Sequence, residues 1–70
     1  MTTTAKTKKV IVKLTNENGV VIGSFDFHDK EAMAEQWSFA MLGHETKNGT
    51  VCLAQIIDDE TGKLLNEFEF

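Results

Sequence analysis

The chain of 70 residues has no arginine, a single cysteine and no long apolar run. Each shortage excludes something. All seven bases are lysines, and arginine is the usual bidentate partner of guanine edges and phosphates. Its absence weakens the case for sequence-specific nucleic-acid binding. With Cys52 alone, no intramolecular disulfide can form, and a reducing compartment fits best. No apolar stretch approaches the roughly 18 residues that span a bilayer. No signal-type hydrophobic segment follows Met1, so the expectation is a soluble, cytoplasmic protein. Eleven acids against these bases leave a net charge of −4, enough for solubility but too little for a mimic of DNA.

A domain of this size buries only about 60% of its unfolded surface. Small domains therefore add a disulfide, a metal or a partner subunit. The first is excluded and the second has too few ligands, which leaves oligomerisation.

Residues 1–7 are polar and aperiodic and are expected to form a disordered tail, with one domain over 8–70. Val10, Val12 and Leu14 alternate with Lys9, Ile11 and Lys13, the period of a strand. A turn at Asn16-Glu17-Asn18-Gly19 leads into the β-rich run VVIGSFDF, as in a hairpin closed by a left-handed glycine. The stretch from His28 to Gly43 reads as a helix. His28 or Asp29 serves as N-terminal cap, Gly43 is the stop, and Met33, Trp37, Ala40 and Met41 form the face laid on the sheet. The loop HETKNGT precedes two more strands, TVCLAQII and KLLNEFEF, joined at Asp58-Asp59-Glu60-Thr61-Gly62. The fold class is α+β: ββαββ, a four-stranded antiparallel sheet with one helix packed on one face and two similar hairpins.

Aligning Gly19 with Gly62 superimposes the hairpins. Val21 then meets Leu64, Phe25 meets Phe68 and Phe27 meets Phe70, while upstream Val10 meets Leu53 and Leu14 meets Ile57. The shared F-acid-F ending goes beyond what turn chemistry demands. Strand 50–57 is apolar on both sides, so the repeat is used to orient it. Leu53, Ile57, Leu64, Phe68 and Phe70 are expected to join Val10, Val12, Leu14, Val21, Phe25 and Phe27 beneath the helix. Ile11, Ile22, Cys52, Ala54, Ile56 and Leu65 then fall on the opposite face. One helix cannot cover both faces, and contiguous exposed apolar surface marks a contact site. The expected protein interface is Ile11, Ile22, Ala54, Ile56 and Leu65, with Phe39 and Leu42 on the side of the helix as a second candidate.

No catalytic constellation stands out. His28 and His44 bracket a helix of about 14 residues, roughly 20 Å, and cannot share one ion. Cys52 lies among apolar neighbours, where a thiol behaves as a small hydrophobe. Asp58-Asp59-Glu60 lacks the spacing of a calcium loop. Neither an enzyme, a metal nor a cofactor is expected.

Three functional classes remain. The first is a small non-enzymatic binding or inhibitory accessory protein, working as a homo-oligomer through protein–protein contacts. Its size and style are those of phage and mobile-element factors, inhibitors of host defence included. The second is a nucleic-acid-binding regulator using Lys6, Lys8, Lys9 and Lys13, although lysines on an edge strand also guard against unwanted pairing. The third is an oligomer that sequesters a nucleotide or other small molecule, with Lys30, Lys47 and Lys63 as the available cations.

Overall fold

The computed structural model describes residues 9–28 and 31–70. The tail expected at 1–7, together with Lys8, Asp29 and Lys30, lies outside the described residues. The elements are β1 (Lys9–Asn16), β2 (Val21–His28), α1 (Glu31–Met41), β3 (Glu45–Thr46), β4 (Gly49–Asp58) and β5 (Leu64–Glu69). The class and the ββαββ order are those read from the sequence. The addition is β3, two residues of the expected loop that fold back on Gly49 and Thr50.

All pairings are antiparallel, in the order β2-β1-β4, with β5 and β3 end to end along the far edge of β4. Strand β1 is therefore central. Lys9 and Lys13 sit inside the sheet and do not guard an edge, which corrects that reading. His28 is likewise not a helix cap but the last residue of β2, opposite Lys9.

The helix covers one face. Beneath it lie Val10, Val12 and Leu14 of β1 and Val51, Ala54 and Ile56 of β4, with Ala34 of the helix among them. The β1 half of this core matches expectation, and the β4 half does not. Ala54 and Ile56, expected on the open face, are fully buried. Leu53 and Ile57, expected in the core, pair with Thr15 and Ile11 on the other face.

The cause is one residue in a loop. In the first turn the Gly19 N–H donates to the Asn16 carbonyl, and the Asn16 N–H donates to the carbonyl of Val20. In the second, the Gly62 N–H donates to the Asp58 carbonyl, and the Asp58 N–H donates to the carbonyl of Lys63. Asn16 and Asp58 thus hold the same place. Their side chains agree, since Asn16 Oδ1 accepts the Asn18 N–H at 2.9 Å and Asp58 Oδ1 accepts the Glu60 N–H at 2.8 Å. The glycines stand 43 positions apart but these turn residues only 42. A shift of one residue inverts every side chain of a strand, so Val12 corresponds to Ala54 and Leu14 to Ile56.

Two β-bulges change the outer strands as well. Leu14 faces Gly23 while Thr15 faces Val21, so Ile22 has no opposite number. Ile56 faces Asn66 while Ile57 faces Leu64, so Leu65 is skipped in the same way. A bulge inserts one residue and re-aims its side chain. Ile22 and Leu65, expected on the open face, instead pack against the core, whereas Val21 and Leu64 are about half exposed. The bulges fall at corresponding positions of the two hairpins, so the repeat extends to backbone irregularity.

The helix is rotated from its expected setting. Ala34 and Ser38 are fully buried, with Trp37 and Met41 partly so, while Met33 and Ala40 are exposed. Small side chains at 34 and 38 let the helix lie close to the sheet. Burying a hydroxyl is tolerable only when it is hydrogen-bonded, and Ser38 Oγ donates to the Ala34 carbonyl at 2.6 Å. Trp37 is thereby directed to one side, where it meets Phe25 edge-on at 4.9 Å and Phe27 at 5.6 Å.

Candidate interaction surfaces

The face of the sheet away from the helix carries three cross-strand rows that run through β2, β1, β4 and β5, with the Lys9–His28 pair beyond the first of them. The first is Asp26, Ile11, Ile57 and Leu64. The second is Ser24, Lys13, Gln55 and Glu67, and the third is Val21, Thr15, Leu53 and Glu69. No element of the described chain packs over these rows. Their apolar members are Ile11, Leu53, Ile57, Leu64 and Val21. Of the interface residues expected here, Ile11 is present, whereas Ala54 and Ile56 are buried beneath the helix and Ile22 and Leu65 pack against the core. The face exists as anticipated, but the inverted strand and the two bulges supply its other members.

Charge is unevenly spread over this face. Lys9 Nζ lies 3.4 Å from Asp26 and 3.8 Å from Asp59, which balances the upper end of the β2–β1 half. Lys13 makes no ion pair among the described residues. Across the sheet, Glu67 accepts a hydrogen bond from Gln55 Nε2 at 2.9 Å, and Glu69 stands one row further on. The β1 side therefore carries a free cation and the β5 side two carboxylates.

A second apolar surface lies at the C-terminal end of the helix. Phe39 is 68% exposed and meets Phe68 edge-on at 6.0 Å. Phe70, expected in the core, is 78% exposed instead. Its N–H extends the β5 pairing by donating to the Cys52 carbonyl, and its ring lies against Gly43, where a Cβ would collide with it. Leu42 follows the helix and packs against the core, so of Phe39 and Leu42, both expected at an interface, Phe39 is the exposed one.

The remaining candidates do not converge. His44 follows the helix, and His28 ends a strand at the other side of it. No three His, Cys, Asp or Glu side chains among the described residues are grouped to hold a metal ion. Cys52 is half-buried at the irregularity between Thr15 and Asn16. Lys47 lies in the β3–β4 turn and Lys63 in the β4–β5 turn, at opposite ends of β4. Of the four lysines of the nucleic-acid reading, Lys6 and Lys8 lie outside the described residues, and Lys9 is held by two carboxylates. No helix among the described residues is long and apolar enough to cross a membrane.

No protein-family model matches the chain, and neither a curated protein nor a solved structure is similar to it.

Proposed function

We propose that this protein is a small non-enzymatic binding module of the accessory or inhibitory type, acting as a homo-oligomer through protein–protein contacts. The open face of the sheet joins copies of the chain, and the Phe39–Phe68–Phe70 surface is presented to a target protein. The observation that carries this reading is the row of Ile11, Ile57 and Leu64 across three adjacent strands, over which no described element packs, with Ile11 and Ile57 half-buried and Leu64 exposed. Apolar side chains contiguous across a sheet and left in water favour association, and a domain this small gains stability from a partner subunit. The aromatic surface lies on the helix side of the molecule, so self-association through the sheet leaves it free.

Light scattering coupled to size exclusion tests the first half. The protein is expected to run as more than one chain, and Ile57→Lys to run as a monomer with its fold intact by circular dichroism. A wild-type monomer across micromolar concentrations refutes self-association, and an Ile57→Lys variant that keeps an oligomeric wild-type mass refutes the open face as the place where the copies meet.

A further inference from the structure

The open face has an internal two-fold symmetry that its charges break. The central pair β1 and β4 is antiparallel, with Lys13 opposite Gln55 at the midpoint. Rotation about that point exchanges the hairpins: Ile11 goes to Leu53, Thr15 to Ile57, and Val21 to Leu64. Apolar positions are mostly matched by apolar ones, and Asp26 by Glu69. The middle row is where the halves differ in charge. Lys13 has Gln55 as its counterpart, and Ser24 has Glu67. One half therefore offers a cation that has no ion-pair partner among the described residues, and the other offers an anion at the same level of the sheet.

We propose that a second copy of this chain closes the face, related by a two-fold axis parallel to the strands, with Lys13 of each copy against Glu67 of the other. This rests on the self-association reading above and specifies its geometry. Such an axis lays β1 over the second copy's β4, and β2 over its β5, without moving any row up or down. Ile11 then stacks on Ile57. Lys13 lands over Gln55, with the second copy's Glu67 one strand away, about 4.8 Å along the sheet. Stacked sheets are about 10 Å apart and keep their strands within about 30° of each other, so a lysine stem reaches that carboxylate. The other in-plane axis, perpendicular to the strands through the middle row, sets Lys13 on Lys13 and Glu67 on Glu67. It also sets Ile11 on Thr15. Like charges brought together across an interface select against that arrangement.

Charge reversal and mixing test the pairing. Lys13→Glu gives a chain with acids at both sites, and Glu67→Lys gives one with lysines at both. Each variant alone meets two like-charge contacts, so its dissociation constant should rise about tenfold or more over wild type. Mixed in equal amounts, the two variants form a heterodimer with both contacts restored, and the two-chain mass returns. That recovery also shows that each variant is folded. Single variants that dimerise like wild type overturn the proposal, and so does a mixture that stays monomeric. If Ile57→Lys dissociates the protein while the charge variants do not, this arrangement fails and the self-association reading stands. If wild type is itself monomeric, both fail.

Discussion

The two hairpins differ by one loop residue, and that residue decides which side of β4 is core. Both turns use the same device. A side-chain oxygen at the first position caps an amide two residues on, and a glycine with φ near +80° closes the loop. Each outgoing strand carries a bulge at its second residue, and a phenylalanine-acid-phenylalanine sequence lies at its far end. Only the spacing between cap and glycine changes. Because side chains alternate with period two, an extra residue in a turn leaves the outgoing strand aligned with its copy and inverts the incoming one. A repeat can therefore be genuine and still mislead when it is aligned on its glycine.

The sharpest way to break this comparison is on β4 itself. Ile56→Ala should cost about 2–4 kcal/mol, since a fully buried isoleucine leaves a cavity. Ile57→Ala, on the open face, should cost less than about 1 kcal/mol. Urea titration at one low protein concentration gives both values, and equal or reversed costs would mean that β4 faces the other way.

The next test compares the two caps. Asn16 is buried and does more than Asp58. Its Oδ1 accepts N–H groups from both Asn18 and Val20, and its Nδ2 donates to the Asn48 carbonyl at 2.8 Å, tying the first hairpin to the β3–β4 turn. Asn16→Ala should cost about 1–3 kcal/mol by leaving buried groups unpaired, and Asp58→Ala about half as much. The same titration measures both, and a larger loss at Asp58 would show that the second turn holds the sheet together.

The smallest effect tests the likeness of the hairpins. Gly19 and Gly62 have φ of +79° and +75°, and a Cβ at either would meet nothing within 4 Å. Only the left-handed backbone penalises alanine there. Gly19→Ala and Gly62→Ala should each cost about 1 kcal/mol, read as similar downward shifts in Tm. A cost at one site several times that at the other would show that the turns are not equivalent.

The sequence by itself settled the element order, the hairpin turns, the apolar face of β1 and the presence of one helix against two faces of sheet. Each of these is a local property, either a residue period or a turn requirement. It also showed that an open face should exist, because a single helix covers only one side. Which residues form that face was decided by tertiary structure. Strand 50–57 is apolar at both parities, so hydrophobicity alone gave it no direction, and its pairing with β1 set the register. The bulges at Ile22 and Leu65 left no local signature, because a bulge shows itself only against a partner strand. Similarly, the helix could present 33–37–40 or 34–38–41 by period, and close packing on the sheet selected the second through the small side chains of Ala34 and Ser38. Composition and pattern determined that this chain must bury one face and leave another open, and the hydrogen-bond register between β1 and β4 determined which isoleucine lies on each.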